Sequence, residues 1–230
     1  MKWFGLDDEG QMRVCGLPFS GLWCGDSDAL MEGFEPENPT LVVPRKYGLG
    51  WSLNLGAIAV KAGWIRPDDS LPDLADHVPD RLRKTLAVAP LLGGTLTVGM
   101  SVAVARKKTV AARWSLLGKP LKFASGSKAA VAPLVLSGAV ALLPQLARKS
   151  TPESQVAIDL TRRADILGVQ AMALAGAIAS YRSASHPEKR QALAAVAPLL
   201  WPVVSCGVQV VCVKTALLRI NADLRAHHEK

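Results

Sequence analysis

The alternation of hydrophobic and polar positions changes character at Leu86. Before it, short apolar pieces are broken by glycines, prolines and charges. After it, apolar residues collect in four blocks without Asp, Glu, Lys or Arg, at 86–105, 129–147, 166–181 and 191–213. About twenty apolar residues carry a helix across roughly 30 Å of hydrocarbon. The first and last blocks meet that length and the second nearly does; the third reaches it once Ala164 and Asp165 are counted. Helices of a soluble bundle keep a polar stripe at a period of 3.6 residues. These blocks are apolar all round, and four such helices cannot all be central in a soluble core. The pattern predicts a mainly α protein, a four-helix transmembrane bundle preceded by a small irregular α+β module.

The boundaries follow from the same pattern. Residues 1–66 form the N-terminal module, 67–84 a polar linker and 85–219 the transmembrane domain, with spans at about 86–105, 129–147, 164–181 and 191–213; residues 220–230 form a polar tail. Within the module, six glycines between Gly5 and Gly33 punctuate short apolar pieces. That composition favours loops, with one short strand near 12–15 and a brief helix around Asp28–Gly33. Glu35-Pro-Glu-Asn-Pro39 reads as a turn or extended linker, because each proline fixes its own φ and biases its predecessor away from helix. Leu41-Val-Val43 is a β-prone run stopped by Pro44. The apolar piece from Ala57 to Ile65 carries Lys61 and is too short to span, which suits a helix packed on the module or lying at a membrane surface.

Inside the blocks, small residues recur every four positions at Gly93, Thr97, Ser101 and Ala105, and again at Ala171, Ala175 and Ala179. Ridges of this kind let helix backbones approach closely in lipid. Asp165 and Lys214 stand near span ends, where snorkelling is expected. Gln170 and Gln209 suit hydrogen bonds between helices. In the first connection, Val110, Trp114, Leu117 and Leu121 fall at helical spacing among seven cations, as in an interfacial helix on anionic lipid.

The densest candidate chemistry lies between Thr40 and Gly56. Arg45, Lys46, Gly48, Gly50, Trp51 and Asn54 combine two cations, a glycine pair permitting a tight bend, an apolar anchor and a capping amide, and they are the candidate binding residues. Strand, glycine loop and helix in succession suggest a phosphate cradle, but the fingerprints fail. After Gly48-x-Gly50 the position three further on is Leu53, and no Gly-Lys-Ser/Thr follows. The alternative is a structural turn that seats Trp51.

The run Asn38-Pro-Thr-Leu-Val-Val-Pro-Arg-Lys-Tyr-Gly-Leu-Gly-Trp-Ser-Leu-Asn-Leu-Gly56 resembles the signature of a small bacterial domain of unknown function. That signature reads Asn-Pro-Asp-Asp-Pro-x-x-x-Val-Pro-Lys-Arg-x-Gly-x-Gly-Trp-Thr-x-Asn-Phe. The resemblance covers about residues 14–66 and rests on Pro44, the two basic residues, Gly48, Gly50, Trp51 and Asn54. The chain departs from it with Arg-Lys for Lys-Arg, Ser52 for Thr, Leu55 for Phe, and a Cys/Gly/Asp insertion upstream. The resemblance implies attachment to multi-pass membrane proteins of Gram-positive and actinobacterial species; it supplies no chemistry, so no catalytic residue is carried over.

Charge and cysteine usage narrow the classes further. The net charge is +8 and the mean hydropathy +0.21. The basic residues bracket apolar blocks, which favours membrane flanks over a nucleic-acid face. No nucleic acid, cofactor or metal is expected. Cys15, Cys24, Cys206 and Cys212 form no Cys-x-x-Cys pair; Cys15 and Cys24 could pair in an oxidising compartment, and without a signal segment reduced thiols are expected. No apolar signal segment follows Met1, because Asp7-Asp-Glu9 comes too early. Positive charges are tied between the two sides of a four-span layout. Translocating the charged N-terminal module without a signal would be unusual, which places it on the cytoplasmic side of the cell membrane. The expected partners are the lipid bilayer, anionic lipid included, and a membrane-protein partner or second copy. The function expected is a non-enzymatic membrane protein with a surface- or partner-docking module. A small transporter, a toxin-immunity-type membrane protein and an enzyme acting on an anionic headgroup are the alternatives.

Overall fold

The computed structural model describes residues 4–6, 12–14, 17–20, 34–44, 48–49, 51–69, 71–146 and 155–228. The expected helix near Asp28–Gly33, and Cys15 and Cys24, lie outside the described residues. The chain divides into two compact units. The first draws on Met1–Asp80, Ala147–Arg162 and Val208–Lys230, and the second on Arg81–Leu146 and Arg163–Gly207.

In the first unit, β1 (Phe4–Leu6), β2 (Met12–Val14), β3 (Leu17–Ser20) and β5 (Gly48–Leu49) form an antiparallel sheet in that order. A separate two-stranded ribbon joins β4 (Val42–Pro44) to β6 (Trp51–Leu53). Helix α1 (Leu55–Lys61) follows at once and buries Gly56, Ala57 and Ala59. Its small residues suit a short helix pressed against backbone. Residues 67–84 hold more structure than their polar composition suggests. Helix α2 (Leu71–Leu74) and a 3₁₀ turn at Ala75–His77 bury Leu71, Ala75 and Val78 before α3 begins.

The second unit is built on α3 (Asp80–Ala105), α4 (Gly126–Leu146), the greater part of α5 (Gln155–Ser183) and the first half of α6 (Ala192–His228). Among the described residues three helices are long and apolar enough to cross a membrane: Asp80–Ala105, Asp159–Ser183 and Ala192–Ala226. The apolar stretch described for α4, Gly126–Ala141, is shorter, so the count of spans shown by length and composition is three where four were expected. Helix α5 has the weakest apolar signal and the most central place. Half of its apolar window is buried, against 17% for α3. Its inward positions are small, with Ala164, Gly168, Ala173, Ala175, Ala177, Ala179 and Ser180 all buried, so neighbours can crowd it.

Exposure in this unit runs opposite to that of a soluble bundle. Leu91, Leu92, Leu96, Val98 and Val102 of α3 point outward, while Thr97 and Ser101 are fully buried. A continuous apolar exterior over a polar-dotted interior is what a lipid solvent selects. The expected ridge on α3 holds at Thr97 and Ser101 and then drifts, with Val104 buried and Ala105 exposed. A four-residue row cannot stay on one face of a helix that turns every 3.6 residues.

The basic connection after α3 is not the interfacial helix its spacing suggested. Strands β7 (Val110–Trp114) and β8 (Pro120–Ala124) form an antiparallel hairpin with a register irregularity around Arg113. Gly118, at φ 70°, turns its tip. The left-handed turn at Gly118 and the hydrogen bonds of Ala111 to Ser180 and Ser183 favour a ribbon here over a helix. The hairpin is docked by its backbone. Ser183 Oγ accepts from the Ala111 amide at 2.7 Å, and Ser180 Oγ donates to the Ala111 carbonyl at 2.9 Å. The Gln191 amide donates to the Gly118 carbonyl at 2.8 Å. Val104, Val110, Ala130 and Ala177 form a small apolar core beneath it, and the Lys107 ammonium lies 4.4 Å from the centre of the Tyr181 ring.

Candidate functional site

The signature segment folds as a ribbon and a capped helix. In β4–β6, Pro44 faces Trp51, Val43 faces Ser52 and Val42 faces Leu53. Gly48 sits in β5 opposite Ser20. It is not at a left-handed bend; among the described residues the glycines with positive φ are Gly63 and Gly118. Arg45, Lys46 and Gly50 lie outside the described residues. Trp51 is placed by its backbone in β6.

Asn54 is the residue on which this segment closes. It has no exposed surface and is the N-cap of α1. Its Oδ1 accepts from the Ala57 amide at 3.2 Å and the Glu35 amide at 3.0 Å. Its Nδ2 donates to the Glu35 carbonyl at 2.7 Å and the Asn38 carbonyl at 2.9 Å. These four bonds use both donors and both acceptor directions of the side-chain amide. The Asn54 amide adds a fifth, to the Leu41 carbonyl at 2.9 Å. The turn that Asn54 grips is itself ordered: the Thr40 amide donates to Asn38 Oδ1 at 3.0 Å. Gly56 lets this turn lie directly on α1, for a Cβ there would stand 2.7 Å from Pro36 N and 2.8 Å from the Glu35 carbonyl carbon. Glu35, Asn38 and Gly56 are thus site residues that motif reading passed over. The signal available was an Asn between two prolines, a composition that favours a turn able to present carbonyls.

This geometry argues against a phosphate cradle. In such cradles a glycine loop leads straight into a helix N-terminus whose amides face the ligand. Here β6 intervenes, and the start of α1 is covered by the Asn54 side chain and the Glu35–Asn38 turn. What the arrangement does chemically is hold its own backbone.

The spans carry a second set of polar contacts, all between helices of the second unit. Gln170 Nε2 of α5 donates to the Pro90 carbonyl of α3 at 2.9 Å. Among the described residues Gln170 Oε1 is buried without a hydrogen-bond partner, and it lies where a Cβ on Gly93 would stand. Asp165 accepts from Ser205 Oγ of α6 at 2.5 Å. It lies well inside α5, which starts at Gln155, and bonds across to α6 instead of snorkelling. One turn on, a Cβ added to Gly168 would approach the Trp201 carbonyl to 2.5 Å.

A family model described as a family of unknown function (DUF5808) matches residues 36–61. The matched stretch starts in the turn gripped by Asn54 and ends with the last residue of α1, so it includes Asn54 and Gly56. Comparisons with curated proteins and with solved structures return no match.

Proposed function

We propose that this is a non-enzymatic multi-pass membrane protein whose N-terminal module docks on the bilayer surface. The observation that carries the docking is an exposed apolar pair. Val42 and Leu53 face each other across the ribbon, 49% and 56% exposed. Directly opposed residues of a ribbon share one face. Leu41, Ile58 and Trp64 are exposed as well, and Lys61 and Arg66 flank Trp64 in sequence. An indole beside cations suits the headgroup level of a membrane. In this reading Arg45 and Lys46 add contacts to anionic headgroups. Trp51 in the ribbon and Asn54 at the cap of α1 are the framework of this surface, and Gly48 and Gly50 of the same signature are assigned to it as well.

We take α4 as a fourth span. Its 21 residues extend about 30 Å at 1.5 Å per residue, and Val131, Leu134, Val135 and Leu136 are exposed. Four spans return both termini to one side, the cytoplasmic one. The setting is the cell membrane of a Gram-positive bacterium, as the resemblance of residues 38–56 implies.

The test places a photo-crosslinking residue at Leu53, and separately at exposed Glu37, in the full-length protein in phosphatidylcholine–phosphatidylglycerol vesicles. Lipid adducts at Leu53 well above those at Glu37 are expected; equal yields would overturn the docking. Impermeant maleimide on intact cells should label a cysteine at Leu117 and spare one at Ala226. Labelling of both would overturn the four-span layout, and labelling of Ala226 alone would overturn the cytoplasmic placement of the termini.

A further inference from the structure

The second unit contains a cavity of about 460 Å³ between β7, α4, α5 and α6. That volume falls in the range of ligand sites, roughly 300–1,000 Å³. Its walls are apolar, with Pro133 on α4, Met172 and Gly176 on α5 and Pro198 on α6; Arg113 and Trp114 close one side. Ser180, the polar group on the α5 wall, already donates to the Ala111 carbonyl, so the cavity asks for no polar ligand at depth.

Two features indicate what fits. The first is shape and level. The lining on α5 runs from Met172 to Ser180, close to the helix end at Ser183, which is about 12 Å along the axis. The lining on α6 begins at Ala194, close to the helix start at Ala192. The cavity therefore starts where the spans meet the headgroups and runs inward along the direction of lipid chains. The second is charge. Arg113 and Lys122 are register partners in the hairpin, both exposed. Like charges directly opposite destabilise a ribbon. No acidic residue occurs from Arg81 to Pro152 to relieve them, and Lys119 is close by at the tip. Among the described residues neither cation makes an ion pair, with Glu188 of the α5–α6 connection included, and a local rule broken in this way is found at functional sites, where an anion from outside can supply the opposite charge.

We infer that this cavity holds one chain of an anionic phospholipid of the surrounding bilayer, with Arg113 and Lys122 pairing its phosphate. Trp114, part-buried beside Arg113, lines the boundary between chain and headgroup. The inference is independent of the docking of the N-terminal module. It also gives the densest basic connection of the chain a role on whichever side of the membrane it lies.

The test uses the full-length protein in neutral detergent, with retained lipid read by native mass spectrometry. Phosphatidylglycerol and phosphatidylcholine of identical chains are the probes. Wild type is expected to retain phosphatidylglycerol in preference. Arg113→Gln and Lys122→Gln should each lower that retention roughly fivefold and leave phosphatidylcholine unchanged. Gly176→Leu should abolish retention of both, since a Cβ there meets no atom within 4 Å and the longer side chain enters the cavity. Ala132→Leu, from the facing wall, makes the same test should Gly176→Leu lose its thermal unfolding transition. Equal retention of the two lipids by wild type would overturn the charge assignment. Undiminished retention in a folded cavity-filling variant would overturn the chain assignment, as would displacement of phosphatidylglycerol by soluble glycerol 3-phosphate, which lacks chains.

Discussion

Asn54 and Glu35 hold each other twice across 19 residues of sequence: the Asn54 amide nitrogen donates to the Glu35 carbonyl at 2.7 Å, and its oxygen accepts from the Glu35 amide at 3.0 Å. The pair closes a ring of backbone around a fully buried side chain. Asn54→Ala leaves buried donors and acceptors unpartnered, and each such group costs about 1–3 kcal/mol. We expect amide exchange at Ala57 and Glu35 to quicken by roughly a hundredfold, the equivalent of about 3 kcal/mol of local opening, with exchange in α5 unchanged. Unchanged exchange at Ala57 would remove Asn54 as the closing residue. Asn54→Asp should fare little better, because it keeps the cap acceptor but loses both donors and buries a charge.

Gly56→Ala tests the same closure from the other side. The atoms in the way are backbone of Glu35 and Pro36, which cannot swing aside. The expected cost is about 1–3 kcal/mol, the usual range for overpacking. Because both substitutions release one turn, the double variant should cost less than the sum of the two. Strict additivity in urea unfolding monitored by exchange would show that the two residues act on different structures.

Within the bundle, two glycine substitutions should rank in a definite order. A Cβ on Gly168 meets the backbone carbonyl of Trp201, whereas one on Gly93 meets the end of the Gln170 side chain. The side chain can rotate away at the loss of its bond to Pro90; the backbone can only shift a helix. Gly168→Ala should therefore lower the thermal midpoint in detergent more than Gly93→Ala does, by about 2 against about 1 kcal/mol. The Gly93→Ala effect should largely vanish in a Gln170→Ala background. Persistence of the full effect there would show that Gln170 is not the obstacle.

Ser183 is the hinge pin of the basic hairpin. It is buried, accepts from the Ala111 amide and donates to the Ser180 carbonyl at 2.6 Å. Ser183→Ala strands a buried amide, at about 1–3 kcal/mol. Trypsin cleavage after Arg113 or Lys122 should accelerate by roughly tenfold or more, with the spans intact on gels. An unaltered rate would mean that Ser183 does not hold the hairpin.

The hairpin marks the limit of what residue spacing reveals. Val110, Trp114, Leu117 and Leu121 satisfy a helical period. Yet Val110 is fully buried while Leu117 and Leu121 are 70% and 65% exposed, a division no single helix face would give. Register against β8 and bonding to Ser180 and Ser183 decide those environments, and neither is written in a local window. The Asn54 cap was legible as a polar residue before an apolar run, but its partners at Glu35 and Asn38 were not, since a turn and its receptor are matched only in space.

The sequence alone determined the solvent of this chain and the type of its long elements. Uncharged apolar blocks of spanning length admit helices in lipid and little else, because every backbone polar group must be satisfied within the segment. Tertiary structure decided which helix is central, which face each one buries, and where polar groups meet. Helix α5 became the middle of the bundle through small residues that permit close approach, although its hydrophobicity is the weakest. Asp165 met Ser205 by the packing of two helices far apart in the chain, and Arg113 was set against Lys122 by the register of one hairpin. Hydropathy sums over a segment and survives any packing, whereas a contact belongs to one arrangement of many segments.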